Sequence, residues 1–263
     1  MNSILDTLRC ELIKIKNFKF AFSNIFSFIF SFFCMYACIY CVNHSTELTT
    51  RNPDKDIVFL LAFTFQFLIY LPHVVCSNAN RLIGLEKRSE FIKYHNLGDF
   101  ANSEVFIAKN ILIFLICLIS ANIFNLLVIA LYNYAYELRY LSAALDYTDI
   151  YRFYLMTNLS LISFIPLIVV HSLIAFKFKY INTLVFIAFT FTSLFLNHGL
   201  LQNYIGLPYS TFLFLRKFCL TDNLGFFNLL KTLGASFLYL AIIIIAISTY
   251  KKYAKNKALF FKA

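Results

Sequence analysis

With 263 residues, 60% hydrophobic and only 14% charged, the chain lies outside the composition of soluble globular domains, which run near ~45–50% apolar and ~25% charged. Its 33 Phe against six Gly and four Pro also exclude a disordered or collagen-like polymer. The net charge of +10 is concentrated between long apolar blocks rather than inside them, which points to an all-α polytopic membrane protein.

In chain order, residues 1–19 come first, with Ile4, Leu5, Leu8, Leu12 and Ile15 at helical spacing and Asp6, Arg9, Lys16 and Lys19 largely off that stripe. The pattern predicts an amphipathic helix lying in the membrane interface, for which a generic juxtamembrane anchor is a sufficient role. No cleavable leader is expected, because the first apolar block is long and lacks a small-x-small pattern. Six blocks without Asp, Glu, Lys or Arg follow: Phe20–Val42, Ile57–Ala79, Ile111–Asn133, Phe153–Phe176, Tyr180–Asn197 and Thr232–Tyr250. Each suits a hydrocarbon core about 30 Å thick, which takes about 20 helical residues. Six transmembrane helices are therefore expected, the fifth being the shortest. Pro72 and Pro166 interrupt the second and fourth blocks as kinks or hinges.

Placing the N-terminus inside puts 16 Lys and Arg with 6 acidic residues on the inner side, and 7 with 7 on the outer side. All the excess charge then faces one surface, so both termini are expected in the cytoplasm and the basic side against anionic membrane lipid. This accounts for the basic balance without nucleic acid, for which no folded module or basic patch with interleaved aromatics exists. Tyr132, Tyr134, Tyr136 and Tyr140 read as interfacial aromatics at the outer end of the third block.

The inner segment 80–110 combines charge with apolar residues such as Leu82, Phe91, Leu97 and Phe106. It fits either a docking surface for a cytosolic partner or a solvated helical hairpin, with a break at Gly98-Asp99. The outer segment 198–228, which holds Gly199, Gly206, Pro208 and Gly225 among large apolar residues, fits a re-entrant or interfacial hairpin.

Several chemistries are absent from the sequence. The spans contain no carboxylate, which disfavours a proton-coupled carrier and an intramembrane aspartyl protease. His73 and His171 have no second ligand at a sensible spacing and read as packing or interfacial residues, so no metal is expected. Cys34, Cys38 and Cys41 form a stripe about 10.5 Å long on one helix, too extended to grip a compact cluster. No Gly precedes Lys, so no phosphate-binding loop exists and any nucleotide hydrolysis requires a second chain.

The layout resembles the permease subunit of type-2 ABC exporters. Glu11-Leu12-Ile13-Lys14 is similar to the E-x-x-K of that family's leading amphipathic helix. Glu86-Lys87-Arg88-Ser89-Glu90, with Leu97-Gly98, Asn102-Ser103 and Ala108-Lys109, resembles its coupling segment. Leu207-Pro208-Tyr209 resembles its outer aromatic-proline element, although no Trp accompanies the proline. Size and modest outer loops are similar to the lantibiotic-immunity branch.

The resemblance implies one permease domain spanning 1–263, without enzymatic activity of its own. ATP and Mg would be held by a separate cytosolic ABC ATPase subunit, and a second permease chain would complete the transporter. It further implies that Glu86, Lys87, Arg88, Phe91, Tyr94, His95, Leu97 and Gly98 contact the ATPase. Glu11 and Lys14 belong to the leading helix, and Pro208 and Tyr209 to the outer loop. A stand-alone membrane immunity or scaffolding protein, acting without an ATPase, is the alternative.

Overall fold

The computed structural model describes residues 55–88, 103–138, 141, 144–162, 164–177, 181–185, 187 and 188, with isolated positions between 8 and 36 and between 234 and 245. Among these residues the secondary structure is helical and contains no strand. Five helices and one π-helical turn follow each other as α1 (Lys55–Phe65), the π turn (Gln66–Tyr70), α2 (Leu71–Arg88), α3 (Ser103–Glu137), α4 (Tyr147–Ile162) and α5 (Ile165–Lys177). The described positions in the first, fifth and sixth charge-free blocks are helical too.

The prolines divide the helices where the sequence places them. Pro72 has no N–H to give to the carbonyl of Leu68, and its ring crowds that carbonyl. The turn just before it is widened, and the Leu71 N–H bonds Gln66 O, five residues back. The block expected as the fourth span breaks at Phe164, and Pro166 is the second residue of α5, where a missing N–H costs little. The bend there is 44°. At the start of α4, Asp146 is the N-cap, and its backbone N–H donates to Asp149 Oδ2 at 3.3 Å, one half of a capping box.

Each helix buries a stripe at helical spacing. On α2 the buried residues include Leu71, Val74, Val75, Cys76, Asn78, Ala79 and Leu82, and α2 packs most extensively on α5. On α4 they are Phe153, Met156, Thr157, Ser160 and Leu161. Helix α3 is apolar around its whole circumference, burying Ile113, Cys117, Ala121, Phe124 and Val128 while exposing Ile111, Leu115, Ile119, Ile123 and Leu126. Its stretch Val105–Glu137 is long and apolar enough to cross a membrane, and Tyr147–Ile162 with Ile165–Ala175 qualifies as a bent pair.

The run from Lys55 to Arg88 and helix α3 lie antiparallel and in register. Near one end, Phe59 stacks on Tyr132 at 5.9 Å and on Phe153 at 4.7 Å. Seven residues further along the first helix and seven back along α3, Gln66 meets Asn125. Sixteen more in each direction bring Leu82 to Lys109, whose Nζ donates to Leu82 O at 2.9 Å. The register thus holds from Phe59 to Leu82, about 34 Å at the helical rise.

Two residues differ from the sequence expectation. Tyr132 is 1% exposed and stacked inside the helix packing instead of lying at an interface, whereas Tyr134 and Tyr136 are exposed as expected. Tyr132 belongs to the inward stripe of α3 with Phe124 and Val128, and that stripe cannot be found in a helix apolar on every side. Lys109, counted among the basic residues of the inner segment 80–110, is 3% exposed. Its aliphatic stem reaches along the helix contact and brings the ammonium to the α2 carbonyl.

Candidate functional site

The sequence-derived coupling residues divide between described and undescribed parts. Glu86, Lys87 and Arg88 form the last turn of α2, so the helix that enters the antiparallel pair carries these charges beyond Leu82. Phe91, Tyr94, His95, Leu97 and Gly98 lie outside the described residues, as do Glu11, Lys14, Pro208 and Tyr209. Leu12 and Ile13, between Glu11 and Lys14, are helical and exposed. Arg81, one turn beyond Ser77 on α2, is partly buried.

Two buried polar clusters occupy the packed helices, and the sequence reading singled out neither. The first sits at the π turn. Gln66 Nε2 donates to Ala121 O at 3.0 Å and to Asn125 Oδ1 at 3.1 Å. Thr157 Oγ1 donates to the same Asn125 Oδ1 at 3.5 Å. Gln66, Asn125 and Thr157 are each 0% exposed, so one polar layer ties the π turn, α3 and α4 together. Alongside it, Asn122 Nδ2 donates to Asn158 Oδ1 at 3.3 Å, a second amide pair between α3 and α4. Such side-chain bonds between helices in an apolar medium average about 0.6 kcal/mol and reach about 1.7 kcal/mol.

The second cluster joins α2, α5 and the helical residues 181–185. His171 Nδ1 and Asn182 Oδ1 are 2.6 Å apart. Asn182 Nδ2 donates to Asn80 Oδ1 at 2.9 Å, and Asn80 Nδ2 points to Cys76 Sγ at 3.7 Å. The Cys76 thiol faces Asn182 O at 3.7 Å, which closes the ring. With Asn182 Oδ1 accepting, the proton of the neutral imidazole sits on Nδ1. The packing role expected for His171 is what the structure gives: a fully buried imidazole that fixes an amide between helices.

These clusters contain neutral amides, a hydroxyl, a thiol and an imidazole. Among the described residues no group of three or more His, Cys, Asp or Glu could hold a metal ion. Cys76 and Cys117 are buried free thiols, unsuited to reaction with solvent-borne reagents. The arrangement therefore holds the helices at fixed rotation. The one signal available beforehand was the recurrence of Asn and Gln inside charge-free blocks, at Gln66, Asn78, Asn122, Asn125, Asn158 and Asn182. No protein-family model, curated protein or solved structure matches the chain.

Proposed function

We propose that the chain is the membrane-spanning permease subunit of an ATP-driven ABC exporter, with lantibiotic-like antimicrobial peptides or other amphipathic compounds as cargo and self-protection as its role. The observation that carries this reading is the in-register antiparallel pair formed by Lys55–Arg88 and α3. Its registered length of about 34 Å matches a hydrocarbon core of about 30 Å. The charged turn Glu86–Arg88 emerges at one end, at the start of the segment that resembles the ABC coupling element. The six charge-free blocks support six spans, and the charge asymmetry supports cytoplasmic termini.

In this mechanism ATP binding closes two ATPase subunits on the cytoplasmic side. The segment around Glu86–Asp99 receives that movement and passes it to α2 and α3, which Lys109 fastens together at Leu82. Two permease chains line the route, and an amphipathic peptide enters sideways from the bilayer and leaves outward. The test is affinity purification of the tagged chain in mild detergent with partners identified by mass spectrometry. A stoichiometric ABC ATPase is expected. Recovery of the chain alone, under conditions that preserve a known ABC complex, would instead favour a stand-alone immunity or scaffolding protein.

A further inference from the structure

The polar layer at the π turn carries an open donor and an open acceptor on two amides that already touch. Gln66 Nε2 faces the backbone carbonyl Ala121 O, and exchanging the amide N and O would set two acceptors against each other. The orientation is thereby fixed, and Gln66 Oε1 has no hydrogen-bond partner within the protein. Asn125 Oδ1 accepts from Gln66 and from Thr157, which fixes the second amide, and Asn125 Nδ2 is likewise without a protein partner. Both residues are 0% exposed. A buried amide atom left unpaired is costly, and two of opposite kind on one hydrogen-bonded pair call for a ligand that both donates and accepts.

We infer that this layer is a site for an internal water molecule, which donates to Gln66 Oε1 and accepts from Asn125 Nδ2. A small neutral donor–acceptor fits the open atoms better than an ion, because the layer brings only amides, a hydroxyl and a backbone carbonyl. The site coincides with the one place where the Lys55–Arg88 run departs from α-helical bonding, the Leu71 N–H to Gln66 O contact before Pro72. Water beside a broken helical ladder gives its backbone groups an exchange partner, so the π turn is a hydrated break in the helix. The inference does not rest on the exporter reading, since the site needs neither an ATPase nor cargo.

The test is deuterium exchange of the purified full chain in lipid nanodiscs, together with water-to-amide magnetisation transfer at the Asn125 side chain. The amides of residues 67–71 should exchange at least about tenfold faster than those of Val74–Cys76 on the buried stripe of α2. A Gln66→Met/Asn125→Leu variant, close in volume and without the open atoms, should bring the two rates together. Equal protection of both stretches in the native chain, or fast exchange that survives in the variant, would overturn the site. If the double variant does not fold, the native chain still decides: transfer from water to Asn125 Nδ2 is expected, and its absence refutes the inference.

Discussion

Phe67 offers the clearest test of how the two irregular helices are joined. Its ring lies in the π turn, is 0% exposed, and packs on Phe63 at 4.5 Å and edge-on against Phe164 at 5.4 Å. Phe164 marks the break between α4 and α5, so the defects in two helices meet ring to ring. Phe67→Ala removes a whole ring from a site walled by rigid helices, and the cavity and lost contacts together should cost about 3–5 kcal/mol. Phe67→Leu keeps much of the volume and should cost under about 1.5 kcal/mol. The edge-on contact adds a coupling of about 0.5–1.5 kcal/mol, measurable in a double-mutant cycle with Phe164→Ala. Equilibrium unfolding in mixed micelles supplies the values. A Phe67→Ala loss below about 1 kcal/mol, or strict additivity with Phe164→Ala, would refute the claim that the π turn and the kink support each other.

The in-register antiparallel pair predicts that, in a cysteine-free background, cysteines at Phe59 and Tyr132 cross-link, as do cysteines at Leu82 and Lys109, while Phe59 with Lys109 does not. A slipped register would abolish both expected cross-links, and a parallel pair would join Phe59 to Lys109 instead. Asn182→Leu removes the central amide between His171 and Asn80, so Cys76 should become reactive to maleimide while Cys117, on α3, stays protected. Unaltered Cys76 labelling would show that the ring does not hold these helices together. The chain contains no Trp, so single Trp probes can be read without background. Trp at Leu115 or Ile119 should be quenched by brominated lipid and Trp at Ile113, on the buried stripe, should not. Equal quenching at all three would remove the distinction between the two faces of α3.

The helical class was legible in the sequence because long charge-free blocks with little Gly or Pro and no alternating polarity favour helix over strand. The kink at Pro166 was legible for an equally local reason, the missing N–H. The π turn was not, because the position where the ladder yields ahead of Pro72 depends on Gln66 finding Ala121 O and Asn125 across the helix contact. Nor was the inward placement of Tyr132, since α3 presents apolar side chains in every direction and periodicity cannot select a face. The polar layers escaped a search directed at charges and metal ligands, because neutral amides satisfy helix contacts without altering the apolar pattern. Lys109 is the opposite case: its charge marked a boundary, but the carbonyl that receives it belongs to a residue 27 positions away. The residues assigned to ATPase contact beyond Arg88 rest on the resemblance and lie outside the described residues.

The exporter account is tested most directly by ATP hydrolysis in the purified complex, reconstituted in nanodiscs and assayed with and without a lantibiotic-class peptide. It predicts hydrolysis that the peptide stimulates and that Phe91→Ala/Tyr94→Ala uncouples while membrane insertion persists. A chain that carries no ATPase, or hydrolysis indifferent to both the peptide and the loop substitutions, would contradict it.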